Sequence, residues 1–239
     1  MSKRFTIVAF MALCVLALAA CGSSSGSSST PTSSSTTGAP AAAGSTSSAA
    51  GGSAAGTGTT TSSGPLMGFE GVPIEQGPLL APASTTGTGE VDGIKCAPIE
   101  QLVYHIHAHL AVFDNGRLYA LPTGVGIPGS KPVMTQYGPV AVGGHCYYWL
   151  HTHTQDGVIH IESPKQAIYT LGNFFDEWHQ PLSGDRVASL HGQVTAFVNG
   201  TQWKKSPRDI PLLPHEDIQF DIGDPIPPLL TVNWSNTQL

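Results

Sequence analysis

The sequence predicts an α+β domain made mainly of antiparallel β-sheet, with one helix covering the sheet. In residues 102–113, "LVYHIHAHLAVF", apolar positions alternate strictly with positions that include three histidines, a period of two that is typical of a β-strand. Asn-Gly pairs at 115–116 and 199–200 favour tight hairpin turns between such strands. The order of the strands is left open, and a β-grasp-like arrangement is one candidate.

A second hairpin is predicted at residues 146–162. The stretch "CYYWLHTH" alternates, "TQDG" forms the loop, and "VIHIE" returns. With this loop, His151 lies opposite His160 and His153 lies opposite Val158. Three histidines and Glu162 therefore share one face of the hairpin.

The covering helix is predicted within "YTLGNFFDEWHQPL", residues 169–182. Thr170 is a suitable N-cap, and Pro181 ends the helix. We expect the apolar stripe of the helix to pack on one face of the sheet. The stripe consists of Leu171, Phe174, Phe175 and Trp178.

The first residues are typical of an export signal. Residues 1–20 combine Lys3 and Arg4 with an apolar run that is too short to span a membrane, which predicts a signal peptide. The stretch "LAAC" that ends at Cys21 resembles the bacterial lipobox, and by that resemblance Cys21 carries a lipid and becomes the new N-terminus. The alternative is an ordinary signal peptide with a chance cysteine. We therefore expect an exported, cell-envelope protein anchored through Cys21 to a membrane outside the cytoplasm.

The rest of the chain divides by composition. Residues 21–64 are a predicted disordered tether of Ser, Gly, Thr and Ala, with no charge and no large apolar side chain to bury. A Gly/Ser-rich coil of this length spans about 35–40 Å from end to end. Residues 65–95, rich in Pro and Gly, predict an extended arm, and residues 96–239 form the predicted His-rich globular domain. We interpret the short repeat "PIEQ" at 73–76 and 98–101 as coincidence.

Charge argues against one class of partner. The chain has 16 acidic and 10 basic residues and a formal net charge of −6, so nothing supports binding to nucleic acid. All ten histidines lie after residue 64, and this enrichment needs a chemical reason.

Two cysteines remain once the signal peptide and the predicted lipid site are set aside. Cys96 and Cys146 in an exported domain favour one disulfide. The alternative is a thiolate metal ligand at Cys146. A disulfide here is expected to tie together the starts of both histidine strands and to set them side by side.

The histidine pattern predicts a metal site. Side chains at i and i+2 of a strand lie on one face about 7 Å apart, within reach of a shared ion, and imidazole suits copper, zinc, iron and nickel. Because ligation needs neutral rings, binding is expected to weaken as the pH falls below about 6.5. A metal-free polar network is the alternative. The candidate ligands are His105, His107, His109, His151, His153 and His160, with Glu162 as a supporting residue or occasional ligand.

Four segments carry a resemblance to a known group of proteins: "GIKCAPIEQLVYHIHAHLAVFDNG", "CYYWLHTHTQDGVIHIESP", "YTLGNFFDEWHQPL" and "PRDIPLLPHEDIQFDIG". They resemble a family of exported bacterial proteins of uncharacterised function, over most of residues 93–223. The resemblance implies that these segments form one domain. It implies no activity and no ligand.

Three functions fit the sequence. The first is a lipid-anchored, extracytoplasmic protein that binds copper or zinc for capture, delivery or tolerance. The second is a metal-dependent enzyme that uses the same histidines, although no HExxH or phosphate-loop motif is present and GxSxG occurs only as "GSSSG", residues 22–26, in the predicted disordered tether. The third is a metal-free interaction module. A deep apolar pocket beside the ion would favour the enzyme, and a flat exposed site would favour metal handling. The sequence identifies neither a substrate nor a protein partner.

Overall fold

The computed structural model describes residues 64–83 and 87–239. The predicted signal peptide, the lipid site at Cys21 and the tether up to residue 63 lie outside this part of the chain. None of the helices in the described ranges is long and apolar enough to cross a membrane.

The described residues form many short strands and a few long ones, numbered here in chain order. The strands are β1 (Glu90–Val91), β2 (Ile94–Lys95), β3 (Tyr104–Asp114), β4 (Arg117–Tyr119), β5 (Val133–Thr135), β6 (Gly138–Val140), β7 (Leu150–His151), β8 (Val158–Ser163), β9 (Tyr169–Thr170), β10 (Leu182–Ser183), β11 (Arg186–Val187), β12 (Leu190–His191), β13 (Val194–Val198), β14 (Thr201–Trp203), β15 (Pro211–Leu212) and β16 (Glu216–Ile222). The helix α1 spans Leu171–Glu177, and 3-10 helices span Pro207–Asp209 and Trp234–Asn236.

One large sheet organises the domain. Its strands follow the order β14-β13-β16-β3-β8-β7, and β4 also pairs with β3. Every pair in it is antiparallel except β16 with β3, which is parallel. Within the described residues the protein is thus mostly antiparallel sheet with a single α-helix, which confirms the predicted α+β class. The β-grasp-like arrangement stays a prediction.

The helix and one face of the sheet form the core. Thr170 caps α1 in a capping box with Asn173, where each side chain accepts a hydrogen bond from the other residue's backbone N–H. The predicted stripe of α1 is fully buried and packs in one cluster with apolar residues of β3 and β8 such as Leu110 and Ile159. Burying a large apolar side chain of this kind contributes about 1.5–3 kcal/mol. The alternation in β3 therefore leaves the histidines on the opposite face.

The predicted extended arm covers the histidine face. Its Glu75 N–H donates to the carbonyl of Gln155 at 2.8 Å, and Leu79 forms a bridge with Ala120 beside β4. The last residues of the chain contact the arm, since the Gln238 N–H donates a hydrogen bond to the carbonyl of Glu70. Both faces of the sheet are thus buried at its centre, although only one of them is apolar.

The predicted register of the second hairpin is confirmed where strands form. His151 pairs with His160 across β7 and β8, and His107 pairs with His160 across β3 and β8. His160 therefore lies between the two other histidine segments. The extended stretch before the loop is shorter than predicted, because only Leu150–His151 is in strand geometry.

The predicted disulfide between Cys96 and Cys146 is confirmed. Beside it, Ala97 and Tyr147 exchange two backbone hydrogen bonds of 2.8 Å. The disulfide links the segments that precede β3 and β7, as predicted. The two strands are not neighbours, however, because β8 lies between them. The sequence separation of 50 corresponds to about 4 kcal/mol of stabilisation in the chain-entropy account.

Candidate metal centre

Four of the six predicted histidines converge on a fifth, His160. Two groups of side chains could each hold a metal ion, and in each group the ligand atoms lie within 4.8 Å of one another. We call the first of these the primary group and the second the adjacent group. The primary group is His151, His153, His160 and Glu162, and the adjacent group is His105, His107 and His160.

Backbone carbonyls orient two rings of the primary group. The Nδ1 atom of His151 lies 2.9 Å from the carbonyl oxygen of Tyr148, and the Nδ1 atom of His153 lies 2.9 Å from that of Ala141. A carbonyl oxygen only accepts, so each Nδ1 carries the proton and each Nε2 keeps a lone pair. This is the usual support of a metal-binding histidine, because it fixes both the tautomer and the ring orientation.

The two lone pairs face each other. Nε2 of His151 and Nε2 of His153 lie 3.1 Å apart. In a tetrahedral zinc site with Zn–N distances near 2.0–2.1 Å, two ligand nitrogens are roughly 3.3–3.4 Å apart. Burial lowers the pKa of both rings, that of His151 to about 3, so neither ring carries a second proton at neutral pH. Two facing lone pairs are unfavourable on their own and favourable around a shared cation.

Glu162 lies among the ligand atoms rather than behind them. Its Oε1 atom is 3.1 Å from Nε2 of His105, 3.5 Å from Nδ1 of His160 and 3.8 Å from Nε2 of His151. Burial disfavours the charged carboxylate, but the nearby imidazoles of His105 and His160 hold its pKa well below the usual range. The sequence suggested a supporting role, and the structure gives Glu162 the position of a ligand.

His160 is the positive group of the metal-free cluster. Burial acts to lower its pKa, but Glu162 and Glu70 outweigh burial and raise it to about 9. Neither ring nitrogen meets hydrogen-bond geometry with the described residues, although Glu70 Oε1 lies 3.2 Å from Nε2. At neutral pH the ring therefore carries a proton near the point where the charge of a metal ion would lie.

Besides His160, the adjacent group has one exposed and one buried histidine. His105 lies at the cluster's edge, and His107 is buried. Burial, together with the neighbouring His160 and His105, lowers the pKa of His107 to about 2, and its Nε2 atom has no hydrogen-bond partner among the described residues. The neutral ring therefore has a nitrogen lone pair that is available to a metal ion.

His109 is not brought into either group. It lies deeper along β3, fully buried, with Nε2 3.7 Å from Oε1 of Glu75 in the arm. Burial lowers its pKa to about 4. Alternation put His109 on the correct face, but the distance along the strand separates it from the cluster.

Two carboxylates near the site were missed by sequence reasoning. Glu70 approaches His160, and Glu100 Oε1 lies 3.5 Å from Nε2 of His153. Both come from segments without periodicity, so no strand pattern pointed to them. The repeat "PIEQ" was the available signal, because its two glutamates, Glu75 and Glu100, each lie against a histidine.

A cleft of about 500 Å³ opens over the cluster. Its floor contains His107, His153 and His160. Its walls include apolar side chains, namely those of Phe69, Tyr137, Val140, Val142 and Leu239. The cluster is therefore reached through a cavity that can admit a small organic molecule as well as an ion.

No family model, no curated protein and no solved structure matches the chain. The resemblance described from the four motifs therefore carries no argument here, and the chemistry rests on the residues themselves.

Proposed function

We propose that this protein is an exported, lipid-anchored metal-binding protein whose primary group holds one copper or zinc ion. One observation carries the proposal: the Nε2 atoms of His151 and His153 face each other at 3.1 Å, each with a lone pair. Backbone carbonyls fix both rings in this orientation. His160 completes a set of three imidazoles, and Glu162 adds an anionic oxygen. Three imidazoles and a carboxylate suit both metals, so the donor set alone does not select between them.

The cluster's burial supports tight rather than incidental binding. The residues His151, His160 and Glu162 are at most 3% exposed, so an ion there exchanges bulk water for fixed donors. Ligands held by strand pairing also lose little conformational freedom on binding. A metal-free interaction module would gain nothing from two facing lone pairs.

Anchoring and location rest on the sequence. The "LAAC" stretch before residue 22 and the long uncharged tether support a lipid on Cys21 and a domain held away from a membrane surface. A metal-binding domain on such a tether is suited to capture or deliver ions in the envelope.

A titration with copper and zinc tests the proposal. Protein purified without a polyhistidine tag should bind one ion tightly, and the double variant His151→Ala/His153→Ala should lose that binding. His191→Ala is the matched control, because His191 is exposed in β12, outside the cluster, and should bind as the wild type does. Equal affinity in the wild type and the double variant would overturn the proposal.

The second candidate is a metal-dependent enzyme, favoured by the cleft. Catalysis needs an open coordination position and a nearby acid or base. The cleft provides access, and Glu100, whose pKa is raised by burial and by the charge of Glu162, lines it beside His153. Turnover of ester or phosphoester probes by the zinc-loaded protein, lost in Glu100→Gln with metal content unchanged, would support this function over simple metal handling.

A further inference from the structure

A second cavity lies apart from the metal cluster, between the arm and the last residues of the chain. Its volume is about 380 Å³, within the range of small-molecule sites. Met67 and Asn233 line it and are themselves exposed, so the cavity opens to solvent. Most of its walls are apolar, with Val72, Pro73, Ile74, Leu118, Leu230 and Val232 among the lining residues.

One unpartnered carboxylate lies in this apolar wall. Glu75 is only 5% exposed, and neither of its oxygens makes a hydrogen bond within the described residues. Its only ion-pair contact there is with His109, at 3.7 Å, and no Lys or Arg comes within ion-pair distance. An ionised carboxylate buried without a partner costs several kcal/mol, so the group favours its protonated form until a cation pairs with it.

The surroundings make the position attractive to a cation. Asp156 is a second buried carboxyl close enough to raise the pKa of Glu75, after burial itself. His109 offers little counter-charge, because burial keeps the ring neutral at pH 7. Burial and Asp156 thus favour the protonated form of Glu75 in the empty cavity, and a bound cation would supply the counter-charge that His109 does not, inside a cavity that otherwise favours hydrocarbon.

A glycine keeps the carboxylate and the imidazole close. A Cβ on Gly157 would lie 2.6 Å from His109 Nε2 and 2.8 Å from Glu75 Oε1, and its φ of +77° is also unfavourable for other residues. Gly157, in the turn between β7 and β8, thus leaves room for Glu75 and His109 to lie side by side at the cavity wall.

We propose that this cavity binds a small organic ammonium compound, with the cationic nitrogen on Glu75 and the hydrocarbon part between Ile74, Leu118 and Leu230. An ammonium group donates hydrogen bonds to the two oxygens, and the carboxyl proton is released to solvent as the ion pair forms. A neutral alcohol of the same length fills the apolar walls but forms no ion pair with Glu75. The proposal is independent of the metal function and uses residues outside both histidine groups.

Calorimetric titration with n-hexylammonium and with 1-hexanol tests it. The full protein is first stripped of metal with a chelator, so that an amine cannot bind to an ion, and both probes are titrated at pH 7. Hexylammonium should bind at least tenfold more tightly than hexanol. The same preference should persist in His151→Ala, which alters the metal cluster alone.

Two variants separate the contributions. Glu75→Gln keeps the shape and cannot form the ion pair, so the ammonium preference should disappear while hexanol binding remains. Leu230→Trp fills the cavity and should weaken both probes at least tenfold. Absence of binding by either probe, equal binding of the two in the wild type, or an ammonium preference that survives Glu75→Gln would each overturn the proposal.

Discussion

Metal binding should displace one proton from His160. With a pKa of about 9, this ring is protonated in the metal-free protein at pH 7, whereas His107 and His151, with pKa values of about 2 and 3, are already neutral. A ring must lose its proton to ligate. The ion therefore competes with a single proton, on His160, throughout the neutral range.

The size of the effect follows from that pKa. Each pH unit below 9 lowers the apparent affinity about tenfold, or about 1.4 kcal/mol. Binding should tighten roughly ninefold between pH 7 and 8, and about one proton should be released per ion at pH 7. The sequence led to a different expectation, a loss of affinity only below about 6.5. It differs because Glu70, one of the two carboxylates that raise the pKa of His160, lies in a segment without a strand pattern.

Calorimetry in two buffers of different ionisation enthalpy measures the released proton directly, and a chelator-buffered titration measures the affinity. Glu70→Gln is the matched variant, since it removes one of the two carboxylates that raise the pKa of His160 and should reduce proton release at pH 8. An affinity that is constant between pH 7 and 8, with no proton released, would refute the assignment of His160 as a ligand.

Three further predictions concern other parts of the chain. Glu162→Gln should weaken copper and zinc binding about 10- to 100-fold, because the substitution removes the anionic oxygen that lies near three imidazoles. Competition with a chromophoric chelator measures the affinity, and an unchanged value would remove Glu162 from the ligand set. Cys96 and Cys146 should both be unreactive in a thiol titration of denatured, unreduced protein, and reduction should lower the free energy of unfolding by about 4 kcal/mol; two free thiols would contradict the bond. Cys21→Ala should abolish membrane association without changing metal affinity, and recovery of mature variant in membranes at wild-type levels would count against the lipid anchor.

Local pattern predicted the parts of the site that depend on local geometry. Strict alternation placed the histidines of β3 on one face, and the four-residue loop placed His151 opposite His160. Both follow from the period of a strand and the length of a turn. For the same reason the helix was predicted with its correct cap and buried stripe.

The features that sequence reasoning missed depend on contacts between distant segments. The parallel pairing of β16 with β3 joins residues about a hundred positions apart, which no periodicity encodes. Glu70 reaches His160 only because the arm folds back over the sheet, and the same arm places Glu75 beside His109. A segment without a period gives no indication of the face on which it packs.

The central claim is that His151, His153, His160 and Glu162 share one ion, and anomalous diffraction from crystals of the zinc-loaded protein tests it most directly. Data collected on both sides of the zinc absorption edge should show one strong peak about 2.0–2.1 Å from Nε2 of His151 and from Nε2 of His153. A ring nitrogen of His160 and an oxygen of Glu162 should complete the coordination. A cluster without a peak, or a zinc ion held elsewhere while the two Nε2 atoms still face each other at 3.1 Å, would contradict the account.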